Sequence, residues 1–260
     1  MKIKGLLAGA VALGLGAAAC GGGGIEIAGG QIELVEPGTL TVCTDTPFPP
    51  MEFEDPDAPT GFSGFDIELS EAIAADLGLE TAVVTPGWDA ITSGLAMEAG
   101  DCDISVSSIT ITEEREENVD FSNPYFTADQ SLLVNASDGP GGIDEVTALA
   151  VQTGTTGEIW ANENASDVEI ISFEGAGDLY LALEAGEVDG VITDLVGNQG
   201  YVDENPDLAT VVETFPTDEE YGMAVQEEGS ENLLLAVNDS LATLQENGEY
   251  QALFDSYFSG

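Results

Sequence analysis

Two α/β lobes are the fold class this sequence predicts, and three observations carry the prediction. Short apolar runs of strand composition alternate with helical patterns along the 260 residues, the signature of α/β layering with mostly parallel sheets. The alternation runs twice, with extended stretches near 125–134 and 214–222 that serve as crossovers between the two sets. Apolar residues make up 43% of the chain, which argues for a packed core in spite of a large acidic excess. The roughly 220 residues beyond the N-terminal segment suit two lobes.

The elements follow in order. Lys2 and Lys4 precede an apolar, Gly/Ala-rich run from Gly5 to Ala19, too short for a comfortable permanent membrane span and typical of an export signal. Ala17-Ala18-Ala19 directly before Cys20 resembles a lipoprotein processing site. The expectation is a signal over 1–19 and an acylated Cys20 that anchors the chain to the membrane, with an ordinary secretory signal as the alternative. The Gly-rich stretch that follows predicts a flexible tether, taken here to span 20–37. "TLTVCT" (39–44) reads as the first strand. "GFDIELSEAIAADLG" (64–78) spaces Phe65, Leu69, Ile73 and Leu77 four apart, one apolar face of a helix. "TAVVT" is strand, "WDAITSGLAMEAG" (88–100) helix, and "DISVSS" (103–108) strand. After "SLLVN" the second set reads strand "ALAVQ", helix "GEIWANEN", strand "VEIISF", helix "GDLYLALEAGE" and strand "DGVITD". "YGMAV" is a late strand, and "ENLLLAVNDSLATLQENGEYQALFDSYF" one or two helices that return to the first lobe.

Charge narrows the function classes. The chain carries 50 Asp and Glu, three Lys and Arg and no His, a net charge of −47. Such a surface repels nucleic acid and anionic lipid, and it repels itself, so folding relies on salt to screen it. Like-charge repulsion makes a monomer the expected state. No oxygen-ligand loop of the D-x-D-x-D-G kind appears and no His is present to hold a transition metal, so neither metal nor cofactor is expected. If Cys20 carries lipid, Cys43 and Cys102 remain, an even pair in an oxidising compartment. One disulfide and two buried free thiols are both open readings.

Beyond Cys20, Arg115 is the only cationic side chain. It follows Ser107, Ser108 and Thr110 at a strand end, where Thr110 with Glu113 fits a capping box and predicts a helix start. Hydroxyls, free backbone N–H groups and an arginine at such a junction make an anion site, and the guanidinium fork suits a carboxylate. An exposed pair with a neighbouring glutamate is the bland alternative, worth about 0–1 kcal/mol. "TGTTGEIW" (153–160) offers a second junction, in which Thr155 and Glu158 fit a capping box and Thr156 can point a hydroxyl at an anion. Asp194 closes a strand, and ligands in open α/β sheets bind beyond the carboxyl ends of strands. It suits an ammonium group, or else serves as a helix N-cap. Asp45 ends the first strand, followed by Phe48. Phe48 and Trp88 are candidate stacking surfaces for an apolar stem, with core packing as the alternative for each.

The strings "GFDIELSEAIA", "WDAITSGLAMEAGDCD", "SSITITEEREENVDFSNPY", "VQTGTTGEIWA", "LEAGEVDGVITD" and "YGMAV" occur in the order found in one family. From about residue 38 to 258 the chain resembles the polar amino-acid solute-binding proteins of ABC importers (bacterial extracellular solute-binding protein family 3). The resemblance implies a two-lobed periplasmic-binding-protein clamshell, with lobe 1 over 38–126 and 222–258, lobe 2 over 132–214, and hinge crossovers over 127–131 and 215–221. It implies that Arg115 grips a ligand α-carboxylate, assisted by Ser107, Ser108, Thr110 and Thr156, and that Asp194 takes the α-ammonium. Phe48 and Trp88 would sandwich the ligand side chain and Asp45 would meet its polar end. It also favours a Cys43–Cys102 disulfide, a permease as partner, and a place outside the cytoplasmic membrane. With no second cation, acidic ligands are disfavoured. Arg, Lys or ornithine is the first expectation and Gln or His the second. A sensor with the same site and a dehydratase on the same fold are the alternative classes, the latter disfavoured by one Arg and no His.

Overall fold

The computed structural model describes residues 24–27 and 30–258; the expected signal and Cys20 lie outside them. From the N-terminal side, β1 (Gly24–Ile27) pairs antiparallel with β2 (Gly30–Glu33). Next come β3 (Thr39–Cys43), β4 (Phe53–Glu54), β5 (Phe62–Ser63), α1 (Phe65–Asp76) and β6 (Glu80–Val84). Two short helices, α2 (Trp88–Thr92) and α3 (Leu95–Ala99), lead to β7 (Ile104–Ser105), a 3-10 turn at Arg115–Glu117 and β8 (Val119–Phe121). The long β9 (Phe126–Asn135) opens the second lobe, followed by β10 (Ala148–Gln152), α4 (Thr156–Asn164), β11 (Glu169–Phe173) and α5 (Ala176–Ala185). β12 (Gly190–Asp194), α6 (Leu195–Glu204) and β13 (Ala209–Tyr221) complete it. The chain returns through β14 (Ala224–Gln226) to α7 (Glu231–Asn247) and α8 (Glu249–Phe258).

Two five-stranded sheets result, ordered β6-β3-β7-β14-β8 and β11-β10-β12-β9-β13. The pairs around β3 and β10 are parallel, whereas β9, β13 and β14 join antiparallel. "TLTVC" and "ALAVQ" are buried over four of their five residues, as expected of strands covered on both faces. Phe65, Leu69 and Ile73 of α1 are buried in the first-lobe core with Leu233, Val237 and Leu241 of α7, so the predicted apolar face and the return of the final helices both hold. A separate core in the second lobe gathers Leu133, Leu179, Leu183 and Val191. The aromatic side chains of α8 pack on the start of β9, with Phe126 5.9 Å from Phe254 and 5.2 Å from Phe258 between ring centroids.

Four local expectations are corrected. Of the tether expected over 20–37, the described residues are structured: Gly24–Ile27 pairs with Gly30–Glu33, and Ile32 and Leu34 are buried in the core. The helix expected over 88–100 is two, broken at Gly94, which adopts φ +79°. The strand expected over 103–108 is regular only at Ile104–Ser105, since Ser108 turns to φ +50°. The helix expected from Thr110 does not form: Thr110 makes a β-bridge with Tyr221. Thr112 Oγ1 instead accepts the Arg115 N–H at 3.2 Å, and only the 3-10 turn Arg115–Glu117 follows. Cys43 and Cys102 form a disulfide with Cα atoms 5.6 Å apart.

Candidate ligand-binding site

The carboxyl ends of strands from both sheets face one cleft. Asp45 lies just beyond β3, Ser107, Ser108 and Thr110 beyond β7, Thr156 beyond β10, and Asp194 ends β12. With Phe48, Trp88 and Arg115 these residues line one partly open pocket of about 30 Å³, room for one or two waters. It shares Asp45, Trp88, Arg115 and Thr156 with an outer cleft of about 880 Å³ that reaches Asp89, Glu114 and Glu174.

Arg115 is the cation of this cavity and is 9% exposed. Its Nη1 donates to the Thr110 carbonyl at 2.7 Å and its Nη2 to the Gly154 carbonyl of the other lobe at 3.3 Å. Its Cζ stands 5.1 Å from the centroid of the Trp88 ring, within cation–π range. Trp88 Nε1 donates to the same Gly154 carbonyl at 3.1 Å, so two side chains of the first lobe converge on one backbone oxygen of the second. Burial lowers the guanidinium pKa, and the charges of Asp194 and Glu219 oppose that shift.

The hydroxyls divide into two groups. Ser107 Oγ donates to Glu52 Oε1 at 2.7 Å, and the Ser108 N–H donates to Asp66 Oδ2 at 2.6 Å. These serines therefore serve a buried acid pair, Glu52 in the cavity wall and Asp66 behind it, which also hydrogen-bond each other. Burial first, and then the charge of Asp66, pushes Glu52 well above the usual carboxylate range. Burial lifts Asp66 to about 7 against the pull of donors that include Tyr125, whose hydroxyl is 2.9 Å away. Thr110 and Thr156, from opposite lobes, instead donate to one oxygen of Glu219, at 2.8 and 2.6 Å.

Asp194 is the first residue before α6, but its side chain makes no cap. It accepts from Gln130 Nε2 and from the Tyr221 hydroxyl. Burial, reinforced by the Glu219 charge, raises it to about 7. Asp45 accepts from Gln152 Nε2 across the cleft at 2.8 Å, and burial raises its pKa. Thr155 caps α4, accepting the Glu158 N–H at 3.2 Å. Glu158 reaches back to the Gly154 N–H at 2.7 Å rather than to the cap residue itself.

Phe48 belongs to the loop 46–50, which lies against glycines of the second lobe. A Cβ on Gly197 would stand 2.2 Å from Phe48 Cε2, and one on Gly200 would stand 2.2 Å from the Pro49 carbonyl oxygen. All nine predicted residues thus reach one cavity. Gln130, Gln152 and Glu219 were not predicted. Gln130, beside the apolar "SLLVN", had a signal as a polar residue in a strand; Glu219 had none among 50 acids.

Known proteins are similar to this chain in sequence and fold. The family model for bacterial extracellular solute-binding proteins, family 3, matches residues 40–260. The L-cystine-binding protein TcyJ of Escherichia coli (strain K12) is 29% identical over 227 residues, 86% of this chain and 84% of that protein. The ABC transporter glutamine-binding protein GlnH of Bacillus subtilis (strain 168) is 34% identical over 199 residues, 75% of this chain and 72% of that protein. An ancestral arginine-binding protein bound to glutamine superposes with a TM-score of 0.78 at 35% identity, covering 86% of this chain and 99% of the other. The ancestral amino acid-binding protein AncCDT-1, a precursor of cyclohexadienyl dehydratase, superposes with a TM-score of 0.75 at 34% identity, covering 85% and 96%. By sequence and fold this chain is a polar amino-acid solute-binding protein, and it belongs to family 3 of the bacterial extracellular solute-binding proteins.

Proposed function

We propose that the chain is an extracytoplasmic, lipid-anchored receptor that closes on a basic L-amino acid and delivers it to the permease of an ABC importer. Arginine, lysine or ornithine is the preferred class and glutamine or histidine the second. The observation that carries this reading is the distribution of charge in the cavity. Arg115 is its only cation, while Asp45, Glu52, Asp66, Asp194 and Glu219 all lie in it or directly beneath it. In the proposed complex Arg115 takes the α-carboxylate with the Thr110 and Thr156 hydroxyls, and Asp194 takes the α-ammonium. Phe48 and Trp88 flank the stem. A cationic side-chain end meets Asp45 and Glu52 and restores the ionised form that burial disfavours there. A second carboxylate on the ligand would instead meet these acids without a partner, which disfavours Asp, Glu and dicarboxylate substrates. Acylation at Cys20 and hinge motion about residues 127–131 and 215–221 complete the proposal.

A thermal-shift screen of the protein amino acids plus ornithine and citrulline, in molar salt, tests it. Ligand at about a hundred times its Kd adds about 2.7 kcal/mol of stability, and basic amino acids are expected to give the largest shift. Arg115→Ala is expected to abolish it, since losing one partner of a buried charge pair costs about 2–5 kcal/mol. A large shift with glutamate and none with any basic or amide amino acid would overturn the assignment.

A further inference from the structure

Glu219 stands where an incoming carboxylate has to go. Its Oε2 accepts from Thr110 Oγ1 and from Thr156 Oγ1, and its Oε1 accepts from Gln130 Nε2 at 2.9 Å. The donors come from the first lobe, the second lobe and the crossover strand β9, and the Arg115 charge acts on the same group. This is a complete anion site, and a carboxylate of the chain itself fills it.

A backbone irregularity aims that carboxylate. β13 runs in register with β9 from Thr214↔Ser131 to Phe215↔Gln130, and pairing resumes only at Glu219↔Ala128. Four steps on one strand thus match two on the other, and the surplus bulges out at Pro216, Thr217 and Asp218. Asp129 secures the bulge by accepting the Thr217 and Asp218 N–H groups at 2.9 and 3.1 Å, with Asp218 at φ +50°. Bulges re-aim side chains beside functional sites, and here Glu219 is the side chain delivered to the cleft.

We propose that Glu219 is a built-in stand-in for the ligand carboxylate. It holds Thr110 and Thr156 together across the cleft so that the protein closes on itself, and a ligand binds by displacing it. The two carboxylates exclude each other, because each needs the same two hydroxyls, and each hydroxyl has one proton to donate. Displacement rests on the amino-acid reading above; self-closure does not. Apparent affinity is then reduced by the fraction of molecules closed on Glu219.

The test compares wild type, Glu219→Ala and Glu219→Gln, each checked for a cooperative melt, in molar salt. Small-angle scattering without added ligand measures the radius of gyration, and calorimetry measures the affinity for arginine and glutamine. Both variants are expected to have a larger radius than wild type without ligand. Glu219→Ala is expected to bind about tenfold more tightly, a gain of about 1.4 kcal/mol. Equal radii across the three proteins overturn self-closure. Weaker binding in both variants overturns displacement and makes Glu219 a direct ligand contact. If no amino acid binds any of the three, the amino-acid reading fails, and the scattering alone decides whether the chain closes on Glu219.

Discussion

At the scale of single residues, burial raises four acids of the site, Asp45, Glu52, Asp66 and Asp194, above their ordinary range. Asp194 is raised to about 7 from an ordinary 3.8, chiefly by burial and next by the Glu219 charge. The folded protein therefore keeps a proton there that the unfolded chain gives up near pH 4. That contribution to stability is present at low pH and is lost as pH rises from about 4 through about 7; Asp66 adds to it with the same sign. An ammonium group at Asp194 favours the ionised form, so binding near pH 6.5 is expected to release up to about one proton from Asp194. Calorimetry in buffers of differing ionisation enthalpy measures that release, and Asp194→Asn is expected to remove it. Arg115 was legible in the sequence because it is the only cation beyond Cys20. The role of Glu219 was not, because its position depends on a bulge and on two threonines far away in sequence.

Among the elements, those with long apolar periods were the readable ones. Phe65, Leu69 and Ile73 mark α1, and "ALAVQ" and "DGVITD" mark β10 and β12, because burial on a whole face leaves a repeating pattern. The break at Gly94 and the bulge before Glu219 interrupt patterns without leaving one of their own. The serine hydroxyls turned to buried acids for a similar reason, since only the fold sets Glu52 and Asp66 beneath Ser107 and Ser108. The disulfide joins the end of β3 to the segment entering β7, across a sequence separation of 59. Closing a loop of that length stabilises by about 4 kcal/mol in the chain-entropy account. The double variant Cys43→Ser, Cys102→Ser is expected to lose roughly that amount in urea denaturation. Its ligand affinity, once folded, is expected to stay near wild type, because neither cysteine lines the cavity.

For the whole molecule the decisive quantity is net charge, −47 over 260 residues. Repulsion on this scale opposes the compact state, and salt relieves it as the Debye length falls from about 10 Å at 0.1 M to about 3 Å at 1 M. The urea midpoint is expected to rise steeply with either NaCl or KCl and to level off near molar concentrations. A flat salt series would show that the acids are placed too far apart to matter. Ligand contacts to the buried Arg115 and Asp194 are screened far less, so affinity at fixed protein stability is expected to change little across the same series.

The contact between the 46–50 loop and the glycine-bearing face of α6 works as a doorstop in reverse. The lobes meet there because Gly197 and Gly200 present bare backbone to Phe48 and to the Pro49 carbonyl. A single methyl group is thus a wedge: Gly200→Ala is expected to fold normally, scatter as a more extended particle even with saturating ligand, and lose at least tenfold in affinity. Such a variant would be a receptor arrested with its jaws apart. Added to membranes that carry the importer, it would report whether the permease recognises the closed outline of this protein or merely one of its lobes.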